Sequence, residues 1–199
     1  MLEKNCPIEV FAAELRRRIQ EGSGDAQKNL QALPSLTPKE EALITEKLAC
    51  EKGMWMDFSE VSCLGTPFPS GVENDVYLNS HGNVIYKVNN LMTSKALLSL
   101  FDRLILHNSI FPQTSYQLSG FTGFGNGSIY PILQQDYIIN EREATPIEID
   151  MYMSAIGFQK LSAAKFSNGV VEVSDLHPRN VLRDNEGDLY VIDAEFRLV

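Results

Sequence analysis

The feature that most constrains this chain lies near residue 186, where two short apolar runs flank a turn. Val181-Leu182 and Tyr190-Val191-Ile192 suit strands, and Asn185-Glu186-Gly187-Asp188 has turn composition. The resulting hairpin is expected to set Val181 opposite Ile192, so that Asn180 and Asp193 meet at its open mouth. Asp175 stands one short loop upstream, where Pro178 keeps a helix from carrying it away. Two carboxylates and an amide are thus expected beside the end of one sheet. Any one of them alone reads as a turn residue or a strand-end cap. Their combination around an apolar hairpin is the sharper signal.

The rest of the chain supplies a fold able to hold such a site. Its 199 residues suit one domain, or one plus a short extension, and 44% hydrophobic content is enough for a core. Ile8, Phe11, Ala12, Leu15 and Ile19 predict an amphipathic helix over residues 7 to 20, with Arg16, Arg17 and Arg18 on its solvated face. Residues 21 to 36 read as a loop. Thr37-Pro38-Lys39-Glu40 is a capping box opening a second helix that Gly53 stops. From Phe58 to Asn89 short strands are expected, with Val72 to Asn79 and Asn83 to Val88 joined at Ser80-His81-Gly82. Helical spacing returns over 93 to 107, with Leu97, Leu100, Phe101 and Leu104 turned inward. Strands follow at 116 to 124, 128 to 135 and 136 to 139. Thr145-Pro146-Ile147-Glu148 repeats the capping signature and starts a helix that runs to about Gly157. The segment 170 to 196 reads as strand, loop and hairpin. This order predicts an α+β fold: a helical extension over 1–54 and a main domain over 55–199.

Composition also excludes classes of function. No apolar run is long enough to span a membrane, and no apolar signal core precedes the first helix, so a cytoplasmic protein is expected. A net charge of −9 without an extended basic cluster argues against nucleic acid as a partner. Cys6, Cys50 and Cys63 show no CxxC spacing and read as reduced thiols. His81 and His107 show no metal spacing.

Oxygen ligands such as Asn180 and Asp193 suit Mg2+, which takes few protein ligands and fills its shell with water and phosphate oxygens. A nearby carboxylate, Asp175, can orient a hydroxyl and accept its proton as a phosphoryl group moves. Upstream, Gly71 lies in a turn and carries no side chain to hinder a close backbone approach, and Lys87 shares a strand face with Ile85, an odd place for a charge in a simple core strand. His177 would either contact substrate or pack structurally.

At these residues the chain resembles the protein-kinase-like superfamily. Asp175-Leu176-His177-Pro178-Arg179-Asn180 fits the D-x-x-x-x-N catalytic loop, and Asp193-Ala194-Glu195 stands where kinases have Asp-Phe-Gly. Together with Gly71-Val72-Glu73-Asn74-Asp75-Val76-Tyr77, Leu106 to Pro112 and Ser119-Gly120-Phe121, these words look like the kinase-like domain of polyvalent proteins from phages and mobile elements, over about residues 55 to 199. The resemblance implies a small bilobal fold, with an N-lobe at about 55–135 and a reduced C-lobe at about 136–199. It implies ATP and Mg2+ as cofactors, with Lys87 and Gly71 at the phosphates and backbone of Gln135, Asp136 and Tyr137 at adenine. Asp175 would be the catalytic base, and Asn180 and Asp193 the metal ligands.

Departures from the pattern are equally legible. The full G-x-G-x-x-G is absent, Val173-Ser174 replace the His-Arg before the catalytic Asp, and residues 93 to 107 contain no Glu to pair with Lys87. Asp102 is the only acid there, with Glu73 as a substitute elsewhere. Six residues follow Asp193, so the peptide-docking platform of ordinary protein kinases is expected to be missing. The leading expectation is an ATP:Mg-dependent phosphotransferase whose acceptor, protein or small molecule, is unknown; nucleotidyl transfer is a chemical variant. The alternatives are a catalytically inactive kinase-like module that binds nucleotide or a protein partner, and an interaction domain without nucleotide.

Overall fold

The computed structural model describes residues 7–22, 36–69, 71–139 and 141–199. Cys6, Ser70 and most of the expected 21 to 36 loop therefore lie outside the described residues. The chain divides into two units: one takes it up to Ile105 together with Tyr116–Gln135, the other is Leu106–Ser115 with Asp136–Val199. No helix among the described residues is long and apolar enough to cross a membrane.

The first unit is built on three helices, α1 (Ile8–Gly22), α2 (Pro38–Glu51) and α3 (Leu97–Ile110), the last turn of α3 passing into the second unit. Ile8, Phe11, Ala12, Leu15 and Ile19 recur at helical spacing on α1, and all are buried. The opposite face carries the arginines, none of them left to solvent alone. Arg17 pairs with Glu14 and Glu21, Arg18 with Glu14 and Glu51, and Arg16 with Asp102 of α3. Hydrogen bonds from Arg17 and Arg18 hold the Glu14 carboxyl down to about 2.

The α2 start is the predicted capping box. The Thr37 hydroxyl oxygen accepts from the Glu40 backbone N–H, and the Glu40 carboxylate accepts from the Thr37 N–H at 2.8 Å. Glu41, one residue on, is buried and reaches across to α3, taking the N–H groups of Leu97 and Leu98 at 3.1 and 3.0 Å. A carboxylate there satisfies two orphan donors and complements the positive end of the helix dipole.

Against these helices lies a five-stranded sheet of β1 (Thr66–Phe68), β2 (Asn74–Leu78), β3 (Val84–Asn89), β4 (Gln117–Thr122) and β5 (Tyr130–Asp136). Its order is β1-β2-β3-β5-β4. Phe11, Phe101 and Phe121, all fully buried, join α1, α3 and β4, with the Phe11 and Phe121 rings 4.8 Å apart. Residues 54 to 56 run alongside β4, and a Cβ on Gly120 would come within 2.7 Å of the Met54 carbonyl oxygen. Only glycine permits that approach. The strand pattern expected from Phe58 onward is corrected at its start: Phe58–Leu64 is a 3-10 helix. Val61 and Leu64, three apart, are buried together with Val88 and Ile132.

The second unit contains β6 (Arg142–Glu143), α4 (Pro146–Ala155), β7 (Gln159–Ser162), β8 (Lys165–Ser167), β9 (Val171–Ser174), β10 (Val181–Arg183), β11 (Leu189–Val191) and β12 (Glu195–Leu198). They form a three-stranded sheet, β11-β10-β6, and a four-stranded one, β12-β9-β8-β7. Phe111, Ile149, Met153, Phe166, Val173, Val181 and Val191 fill the core between them. The strand expected over 136 to 139 does not form, because β5 ends at Asp136. The α4 start repeats the capping box with Thr145 and Glu148.

Glu148 does more than cap. Its carboxylate also binds Arg142 of β6 and Arg183 of β10, each at 2.7 Å. The Arg142 hydrogen bond, helped by the Thr145 N–H, lowers its carboxyl to about 2 from an ordinary 4.5. A depressed carboxylate contributes stability that is present above its unfolded value and is lost as pH falls through the folded one. Acid titration between about 4.5 and 2 is therefore expected to loosen the second unit, and Glu148→Gln should flatten that part of the curve while lowering stability at neutral pH. Circular dichroism melts of both proteins from pH 7 to 2 check this; superimposable curves would contradict it.

Candidate active site

The tail residues are held by the second unit's core. Asp175, Asn180 and Asp193 are each followed by a buried residue: Leu176 (1% exposed), Val181 (0%) and Ala194 (4%). The backbone at each polar residue is thus anchored by an apolar neighbour that cannot leave without exposing itself. Pro178 opens a single 3-10 turn, Pro178–Asn180, supplying a preset φ and no N–H that would need a partner. Asp175 adopts φ +64, the left-handed region that aspartate enters more readily than most side chains.

This bent loop brings Asp175 and Asn180 together. The Asn180 side-chain amide donates to the Asp175 backbone carbonyl and to its carboxylate Oδ2, both at 2.9 Å. Spending the amide nitrogen in this way leaves Asn180 Oδ1 as an acceptor or ligand atom. His177 Nε2 lies 3.0 Å from the other carboxylate oxygen, Asp175 Oδ1. Half the Asp175 side chain is exposed (49%), so an outside group can reach it.

The hairpin register differs from expectation by one residue. Val181 pairs with Val191, not Ile192, and Leu182 with Tyr190. The cause is the turn. The Asp184 carboxylate accepts from the N–H groups of Glu186, Gly187 and Asp188, and Asp184 N–H donates to the Asp188 carbonyl. That closes a three-residue loop, with Gly187 at φ +99 in its last position. Burial alone would raise the Asp184 carboxyl, but the N–H of Asp188, the Tyr190 hydroxyl and the N–H groups of Gly187 and Glu186 outweigh it and hold the carboxyl low. Asn180 therefore faces Ile192, whose N–H donates to the Asn180 carbonyl at 3.0 Å, and Asp193 is the next residue along.

In the first unit, Gly71 lies between β1 and β2, with open space where a Cβ would sit. Lys87, opposite Val76 in the β2–β3 ladder, donates from Nζ to the Tyr116 hydroxyl at 3.0 Å and stands 4.8 Å from that ring's centroid. Tyr116 carried no signal in the sequence, because nothing in residue order ties it to β3. Asp102, named above as a partner for Lys87, pairs with Arg16 instead. Glu73 binds Arg103 of α3 at 3.0 Å and accepts from Asn89. Gln135 is buried, Asp136 exposed and Tyr137 half-buried where the chain leaves the first unit.

Among the described residues, no three His, Cys, Asp or Glu side chains gather as a metal cage. An amide oxygen and one carboxylate fit Mg2+, which needs few protein ligands when phosphate and water complete its shell. Cys50 and Cys63 are free thiols, and burial followed by the Glu46 charge pushes the Cys50 thiol up, away from nucleophilic use.

Comparison with known proteins agrees with the tail motif. A family model described as a serine/threonine/tyrosine kinase found in polyvalent proteins matches residues 38–199, taking in α2 as well as both units' sheets. No curated protein matches the chain. With that match covering most of its length, the chain belongs to the kinase family found in polyvalent proteins.

Proposed function

We propose that this kinase-family chain is an ATP:Mg-dependent phosphotransferase acting in the cytoplasm, with the first unit as its nucleotide lobe and the second as its catalytic lobe. The observation that carries the reading is the Asn180 amide bridging the backbone and carboxylate of Asp175 at 2.9 Å. It anchors one oxygen of the carboxylate assigned as the base and leaves the amide oxygen as a ligand atom for a cation. Asn180 Oδ1 and the Asp193 carboxylate hold Mg2+, which when bound neutralises charge on the phosphate oxygens. Lys87 contacts phosphate oxygens, Gly71 lets its loop lie close to them, and backbone of Gln135, Asp136 and Tyr137 meets adenine. Asp175 accepts the proton of an acceptor hydroxyl as its oxygen bonds to the γ-phosphorus. The bond from that phosphorus to the bridging oxygen breaks, and ADP leaves with the electron pair.

ATP binding by the full chain, measured calorimetrically with Mg2+ and with EDTA, tests the reading. Binding is expected only with the metal, and Asp193→Ala should weaken it by about tenfold or more, the loss of a charge-assisted contact. Metal-independent binding, or none in either condition, contradicts the proposal.

A second reading, a catalytically inactive kinase-like module, is favoured by two observations. Residues 97–110 of α3 contain no Glu, and Lys87 donates to a tyrosine hydroxyl. Nucleotide binding without turnover would identify it.

A further inference from the structure

His177 lies in the loop next to the assigned base, and its geometry is unusual on three counts. Its Nε2 meets Asp175 Oδ1 at 3.0 Å. Its Nδ1 is buried and has no hydrogen-bond partner among the described residues. Its backbone closes the loop twice, the His177 N–H donating to the Asp175 carbonyl and the His177 carbonyl accepting from Asn180 N–H at 2.9 Å.

A buried polar atom left unpaired is costly, and native structures keep few of them. A histidine serving only to fill space would be better replaced by an apolar side chain, which would bury no orphan nitrogen. What the ring supplies here is the other nitrogen. To donate to a carboxylate, Nε2 must carry the hydrogen; in a neutral ring Nδ1 is then the lone-pair atom, and the orphan and the contact are two ends of one tautomer.

The carboxylate explains why a second donor matters. Asn180 holds Oδ2 alone, and a half-exposed carboxylate with one anchored oxygen still turns about its Cβ–Cγ bond. A second donor on Oδ1 fixes the plane. An ionised carboxylate offers about four acceptor sites, so two donors leave room for a hydroxyl proton.

We propose that His177 is a positioning residue that, through Nε2–H on Oδ1, locks the plane of the Asp175 carboxylate for proton acceptance. The role rests on the phosphotransferase reading for its consequence, while the contact itself does not. Two variants of the full chain test it. His177→Ala removes the donor, and His177→Gln places an amide N–H near where Nε2 lies. Turnover of Mg·ATP is followed as phosphate released or transferred, and crystal structures of the wild type and both variants report the Asp175 side-chain torsion. The expected result is a kcat about tenfold or more lower in His177→Ala with KM for ATP unchanged, as for an interaction used only in the transition state. His177→Gln should recover most of the rate, and Asp175 should leave its position only in the alanine variant. An Asp175 torsion identical in all three proteins overturns the proposal, whether or not the wild type turns over. So does a glutamine variant as slow as alanine in a protein that is active. A wild type without turnover whose Asp175 swings free in His177→Ala upholds the positioning role and instead removes the phosphotransferase reading.

Discussion

Replacing Asp175 with alanine is expected to slow Mg-dependent transfer from ATP by about 10²–10⁴-fold, the usual worth of a positioned general base. ATP affinity should stay near that of the wild type, because Asp175 is assigned to the acceptor hydroxyl and Asn180 and Asp193 to the metal. Asp175→Asn sharpens the test: the side chain keeps its size and can still meet Asn180, but it cannot take a proton. Both variants should be slow, and asparagine should not rescue. Single-turnover assays with γ-labelled ATP read the rate, and calorimetry reads the affinity. An alanine variant that turns over at the wild-type rate would remove Asp175 from the chemistry. A wild type that binds Mg·ATP but never turns over would favour the inactive-module reading.

The second large effect is on stability. Phe121→Ala is expected to destabilise the first unit by about 3–5 kcal/mol, the range for a fully buried phenylalanine. Phe121 is 0% exposed and touches the rings of Phe11 and Phe101, so truncation opens a cavity shared by α1, α3 and β4. Collapse is hindered from one side, because Gly120 and residues 54 to 56 already press backbone against backbone there. Phe121→Leu should cost markedly less, since it removes less volume. Urea unfolding followed by fluorescence of Trp55, which pairs with Phe121 through a β-bridge, reports on this neighbourhood directly. A midpoint unchanged in the alanine variant would mean that this core is not what holds α1.

The parts of the fold that the sequence revealed are those written in local chemistry. Thr37 with Glu40 and Thr145 with Glu148 are four-residue signals, and both capping boxes form as expected. The Asp175-to-Asn180 contact is likewise local, fixed by Pro178 and a one-turn loop. The hairpin was legible but its register was not. Composition marks Asn185 to Asp188 as a turn, whereas the one-residue difference arises from Asp184 drawing three backbone N–H groups onto its carboxylate. The β7–β8 hairpin escaped notice for a related reason. Residues 159–162 are all exposed and only Phe166 of β8 is buried, so no apolar alternation announces it. Lys87 stood out as a charge in an apolar strand, but its partner Tyr116 comes from a separate segment. No spacing rule connects residues whose only link is tertiary packing.

Two neighbouring residues of α3 act as opposite hands. Asp102 grips α1 through Arg16, while Arg103 grips Glu73, two residues past Gly71. The grips differ in their wetness: Arg103 and Glu73 are 15% and 21% exposed, whereas Asp102 is 60% exposed. Dissolved ions weaken exposed pairs long before sheltered ones. Added salt therefore loosens the Arg16–Asp102 pair before the Arg103–Glu73 pair, while the buried rings of Phe11 and Phe101 keep α1 and α3 packed.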